Sequence, residues 1–176
     1  NDRRRIELLN SLLFTLPGAP VIYYGDEIGM GDNITLFDRN GVRTPMQWNS
    51  ELNAGFSTAN PDHLYAPVVN DPEFGAAIVN VESQRADSGS LLHRVQRMIQ
   101  ARKTLPVLGR GTLEWMDDLP LHLIGFWRYT ATQTVLALHN LSDETAVVDL
   151  PTEVAVTMRD ILDDEPVDKQ VTLPPF

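Results

Sequence analysis

One stretch holds most of the side chains able to do chemistry: Asp38-Arg39-Asn40-Gly41-Val42-Arg43-Thr44-Pro45-Met46-Gln47-Trp48. It combines two guanidinium forks, an amide and an aromatic ring. Planar donors suit hydroxyl groups, and a ring suits the apolar face of a polyol. The same arginines would equally well hold a carboxylate of their own loop. Asp26, Glu27 and Asp32 lie just upstream. Cleavage or transfer at an acetal carbon needs two carboxyl groups flanking the scissile bond, one protonated and one ionised. Asp26 and Glu27 are neighbours, and neighbours in an extended segment point to opposite sides. Capping a turn or pairing with an arginine is the better reading for both.

Other chemistry is sparse. His63, His93, His122 and His139 show no metal-ligand spacing and read as surface or packing residues. Asp163-Asp164-Glu165 reads as a solvated turn, with a hard cation as the alternative. Trp115 and Trp127 fall at strand positions, where core packing is favoured over a sugar platform. The chain has neither a phosphate-cradling glycine loop nor a nucleophile elbow.

These residues need elements to position them. Asn1 or Asp2 opens a helix whose Ile6, Leu8, Leu9, Leu12, Leu13 and Leu16 form a broad apolar face, and Leu16-Pro17-Gly18 stops it. Pro20-Val21-Ile22-Tyr23-Tyr24 is a continuous apolar run closed by Gly25, which predicts a strand buried on both faces. Helix, tight turn and buried strand make one unit of an α/β barrel. The irregular residues 25–87 start at the C-terminal end of that strand, the edge where barrels build their sites. A second helix carries Leu91, Leu92, Val95, Met98, Ile99 and Arg102, capped by Asp87, Ser88 or Ser90 and ended at Leu105-Pro106. Short strands are then predicted at 111–116, 121–129, 134–139, 145–150, 154–160 and 167–173, the pattern of an antiparallel sandwich or meander. A domain boundary is expected between Leu105 and Arg110.

Composition narrows the partners. Of 176 residues 43% are hydrophobic and 22% charged, an ordinary balance for a globular chain. A net charge of −10 excludes nucleic acid, which needs a basic surface. Without cysteine there are no disulfides or thiolate metal sites, which fits a cytoplasmic location. No apolar run approaches the roughly 20 residues that cross a bilayer, so no membrane partner is expected. Leucines after Arg3-Arg4-Arg5 are interrupted by Glu7, Asn10 and Ser11, unlike a signal peptide. The chain opens at a helix without an initiator methionine, which reads as a fragment whose first half lies elsewhere.

Gly18-Ala19-Pro20-Val21-Ile22-Tyr23-Tyr24-Gly25-Asp26-Glu27-Ile28-Gly29-Met30 resembles the last barrel strand of the α-amylase superfamily. Arg43-Thr44-Pro45-Met46-Gln47-Trp48 and Asn53-Ala54-Gly55-Phe56-Ser57 resemble the following loop of its oligo-1,6-glucosidase-like subgroup, which includes α-glucosidases, sucrose isomerases and trehalose synthases. Within it, Asn1-Asp2-Arg3-Arg4-Arg5-Ile6-Glu7-Leu8-Leu9-Asn10 and Gly29-Met30-Gly31-Asp32-Asn33-Ile34 are most similar to the trehalose synthases. Asn80-Val81-Glu82-Ser83-Gln84 and Arg102-Lys103 continue the likeness. It is strong from Asn1 to about Gly111 and general afterwards.

The resemblance implies an α+β chain: the last helix-strand-helix portion of a (β/α)8 barrel over residues 1–107, then an antiparallel β-sandwich over 108–176. It implies a retaining isomerase of maltose and trehalose, whose aspartate nucleophile, glutamate acid/base and stabilising aspartate all precede Asn1. No catalytic residue is therefore carried onto this chain, which alone is expected to be inactive. Arg39 and Arg43 match arginines on the second-sugar side of the pocket. Asp38 and Gln47 are expected to place them, and Tyr24 and Glu27 to be structural. No cofactor is implied in this stretch, although the full-length enzyme has room for a structural calcium or magnesium ion. Partners implied are a small sugar, the N-terminal barrel portion and a homo-oligomer. The competing readings are an α-glucosidase-type hydrolase and a non-catalytic carbohydrate-binding or scaffold domain. A lone barrel strand would leave unpaired edges. Residues from about Ser90 are therefore expected to fold stably, with the first segment mobile, rearranged or buried against a partner.

Overall fold

Asp2 begins the first helix, α1 (Arg3–Thr15), its carboxylate accepting the Arg4 backbone N–H at 3.1 Å. Asn1, the alternative cap, lies outside the residues that this computed structural model describes, 2–151 and 158–176. The helix ends where Leu16 closes a last bond to the Leu12 carbonyl at 3.0 Å and Pro17 forbids another. The chain divides into two units, Val21–Gln96 and Asp2–Pro20 with Arg97–Phe176.

The strand expected over Pro20 to Tyr24 is not formed. Its backbone pairs with no other strand among the described residues, and Val21 is 81% exposed. A buried parallel strand exists only between hydrogen-bonding neighbours, which its own apolar sequence cannot supply.

In the Val21–Gln96 unit, Ile28, Met46, Val79 and Val81 form the core, with Met30 and Leu92 packed against it. The short helix α2 (Val81–Ala86) escaped the periodicity reading because six residues show barely two turns. Its Asn80 cap accepts from the Ser83 N–H at 2.8 Å. Gln84 on that helix donates to the Ile28 carbonyl at 2.7 Å and accepts from the Leu92 N–H at 3.0 Å. It thereby ties the loop to the start of α3 (Leu91–Thr104). Of the three cap candidates for α3, Ser90 accepts the His93 N–H.

The other unit contains α1, the short α4 (Pro106–Arg110) and the strands. β1 (Thr112–Trp115), β2 (Leu123–Tyr129) and β3 (Thr134–Asn140) form an antiparallel sheet with β2 in the middle. Side-chain alternation gives that sheet two lives. Phe126, Arg128 and His139 face α1, where His139 meets Ser11 and Arg128 meets the Thr15 carbonyl. Leu123, Leu136 and Leu138 face the opposite way. They share an apolar layer with Ala146, Val148, Val171 and Leu173 of β4 (Ala146–Asp149) and β7 (Gln170–Leu173), a second antiparallel pair. β5 (Met158–Arg159) pairs with β6 (Pro166–Val167). Only the end of the strand expected at 154–160 is thus seen, since residues 152–157 lie outside the described residues. The run expected at 167–173 is divided between β6 and β7.

Candidate functional site

The loop that carries Asp38 and Arg39 is closed at its neck. Asn33 N–H donates to the Gly41 carbonyl at 3.0 Å, and Asn33 Oδ1 accepts from the Thr35 N–H and hydroxyl at 3.1 and 2.6 Å. Gly41 is buried there, and a Cβ on it would lie 2.6 Å from the Asn33 carbonyl oxygen. Asp38 opens the 3-10 turn Asp38–Val42 from a left-handed conformation, φ 55°, which aspartate tolerates better than most residues. The tip is solvated. Asp38, Arg39 and Arg43 are exposed, and among the described residues none of the three forms an ion pair. Ile34 and Phe37 stand beside them at 93% and 89% exposure. Sequence reasoning missed these two, although an apolar residue in a polar loop is a readable signal.

The chain then turns inward. Thr44, Pro45, Met46 and Gln47 are buried, and the Tyr24 hydroxyl donates to the Thr44 carbonyl at 2.9 Å. Burial pushes the Tyr24 phenol up from its ordinary pKa, Tyr23 adds to this, and the Arg43 charge opposes it. The Arg43 charge therefore acts on Tyr24. Gln47 is 0% exposed and donates its amide to the carbonyls of Phe74, at 3.0 Å, and Val79. Gln47 thus anchors the stem of the loop while the arginines occupy its solvent side. Gln47→Leu is expected to lower the stability of this unit by about 2 kcal/mol, by orphaning the buried Val79 carbonyl and the part-buried Phe74 carbonyl. Urea unfolding followed at Trp48 checks it, and an unchanged midpoint would show that those carbonyls find other partners.

Asp26 and Glu27 serve their own turn. Asp26 Oδ2 accepts the Tyr23 N–H at 3.0 Å and Glu27 Oε2 accepts the Gly25 N–H at 2.8 Å. Gly25, at φ 95°, sits where a side chain would be strained and would press on Met30. Downstream, Asn53, Ala54 and Gly55 are all left-handed, with φ of 52°, 56° and 70°. Non-glycine residues resist that conformation by ~1 kcal/mol or more each, so something must hold them. Asn53 does so by donating to the carbonyls of Ser57 and Ala59 at 2.9 and 2.8 Å. Asn53-Ala54-Gly55-Phe56-Ser57 is accordingly a folding device that sets the end of the loop. Among the described residues no group of three His, Asp or Glu side chains is placed to hold a metal ion. The arrangement presents cationic forks and apolar side chains to solvent from a braced stem.

The model of the α-amylase catalytic domain matches residues 1–111, more than half of the chain and all of this loop. The chain belongs to the α-amylase family. Among curated relatives, the trehalose synthase of Pimelobacter sp. is 54% identical over 146 residues, or 81% of the chain. A trehalose synthase/amylase of Mycobacterium tuberculosis is 49% identical over 145 residues, again 81% of the chain. The chain spans about a quarter of these α-amylase-family relatives, 26% and 24% of their lengths. A trehalulose synthase variant solved with Tris superposes with a TM-score of 0.79 at 22% identity, covering 97% of this chain and 37% of that one. That likeness shows the α-amylase-family fold. Among the described residues no helix is long and apolar enough to cross a membrane.

Proposed function

We propose that this chain is the C-terminal part of a trehalose synthase, in which Arg39 and Arg43 hold the second glucose while maltose and trehalose interconvert. The segment that projects these arginines lies within the stretch shared with trehalose synthases, and this carries the reading. In the retaining chemistry that the family resemblance implies, a carboxylate attacks the anomeric carbon of maltose. The glycosidic oxygen leaves with a proton from the acid, and glucose remains in the pocket. That glucose must turn and return through its anomeric hydroxyl, giving its proton back as the new bond forms. Water entering in the interval yields glucose instead. Donors that retain the freed sugar favour the isomer by orientation and by keeping water out. The catalytic carboxylates come from the rest of the protein, so this stretch alone does not turn maltose over. In this reading residues 1–107 complete the barrel and 108–176 form the β-sandwich that follows it along the chain.

Arg39→Ala in the complete protein is expected to lower the trehalose-to-glucose product ratio about fivefold or more, through loss of that positioning. NMR quantification of both products after incubation with maltose tests it. An unchanged ratio would remove Arg39 from the enclosure. Glucose as the main product of the unsubstituted protein would make it an α-glucosidase-type hydrolase.

A further inference from the structure

The strand-rich unit contains a cleft that the loop chemistry does not use. It has a volume near 730 Å³, and Trp127, Thr132, Gln133, Thr134, Met158 and Arg159 are among the residues that line it. A cleft of this size falls in the range of small-ligand sites. Trp127 lies opposite Leu136 in the β2–β3 register, where the apolar layer between the sheets gives way to solvent. Its ring is half-buried and lines the cleft.

The turn beside it meets its own backbone needs. Thr130 N–H donates to the Gln133 carbonyl at 2.8 Å, and the N–H groups of Thr132 and Gln133 donate to Thr130 Oγ1 at 3.3 and 3.1 Å. That leaves the hydroxyls of Thr132 and Thr134 and the amide of Gln133 without a partner among the described residues. Each of these groups both donates and accepts, the pattern that complements a sugar hydroxyl. Arg159 is engaged through Nε to Asp164 at 2.7 Å, so the cleft calls for no anion, and the chain's charge of −10 disfavours one. A purely apolar ligand would leave the amide and hydroxyls unpaired. We propose that this cleft binds a neutral gluco-oligosaccharide, with one ring against Trp127 and hydroxyls on Thr132, Gln133 and Thr134. The carbohydrate class follows from the cleft itself; the choice of glucose units rests on the trehalose synthase reading.

The test uses the complete protein and maltoheptaose as the probe, with hydrogen exchange of residues 127–136 and binding by calorimetry. Protection of that segment is expected, and Trp127→Ala should weaken its half-saturation about tenfold, the loss of one stacked ring. The Thr132→Val, Gln133→Ala double variant leaves the sheet core untouched and should weaken it as well, with trehalose formation from maltose unchanged. If maltoheptaose leaves the exchange of 127–136 unaltered, or if the double variant binds like the parent, the assignment is wrong. Trehalose formation in the same preparations reports separately on the trehalose synthase reading.

Discussion

Arg128→Met should destabilise the strand-rich unit by about 3 kcal/mol, because it removes two charge-assisted hydrogen bonds and the cation at the end of a helix. Arg128 is 1% exposed and, among the described residues, forms no ion pair. Its guanidinium instead donates to the Thr15 carbonyl at 2.7 Å and the Gly111 carbonyl at 2.9 Å. Arg102 donates to the carbonyls of Phe14, Leu16 and Gly18. Together the two arginines satisfy the orphan carbonyls that every helix leaves at its C-terminus. Burial, and then the charge of Arg102, pull the Arg128 pKa below the usual value, yet the group remains a cation at any ordinary pH.

Removing a buried charge also relieves a desolvation cost, and such replacements are sometimes neutral. Here two part-buried carbonyls would be left unpaired at roughly 1–3 kcal/mol each, so the loss wins. Arg128→Lys should rescue little, since one ammonium cannot reach both carbonyls as a planar fork does. Urea unfolding followed by the fluorescence of Trp115 and Trp127 in a Trp48→Phe background measures the difference. A shift below ~0.5 kcal/mol, the scale of an ordinary surface change, would mean that water already serves these carbonyls.

Acid should weaken the same unit through His139. The ring is 3% exposed, accepts or donates through Nε2 to Ser11 Oγ at 3.0 Å and stacks on Phe126 at 5.7 Å. Burial lowers its pKa from 6.5 to about 4, against a weaker opposite pull from hydrogen bonding to Ile124 and Ser11. A depressed histidine pKa means that the folded state resists a proton which the unfolded state accepts. The contribution is therefore constant above pH 6.5, falls as the pH drops through the window, and is lost below about pH 4. A shift of this size corresponds to about 3 kcal/mol across that window. Unfolding free energies of the parent and of His139→Gln at pH 7, 5.5 and 4 give the test. The difference between them should narrow in acid, and a parallel pH dependence would clear His139 of the effect. The sequence left this residue as a surface or packing histidine, and only the fold set it against Ser11 and Phe126.

Much of the molecule is written in local pattern. Asp2 followed by leucines at helical spacing makes α1, and runs rich in Val, Leu, Thr and aromatic residues between turns make the central hairpin. Residue type alone makes the Asp38 to Trp48 stretch a candidate binding loop, and the kinship of the sequence motifs pointed to the family. Those signals survive because they depend on neighbours within a few residues. The tertiary structure decided everything that depends on remote partners. Pro20 to Tyr24 has the composition of a strand but, among the described residues, no ladder to join, so it stays irregular. Gln47 looked like one more donor near the arginines, yet the carbonyls of Phe74 and Val79 draw it inside. Arg102 and Arg128 take their roles from the end of α1, whose carbonyls they reach. Whether a polar side chain binds a ligand or holds the chain together is settled by which unpaired backbone groups the fold brings within reach, and spacing along a sequence does not encode that distance.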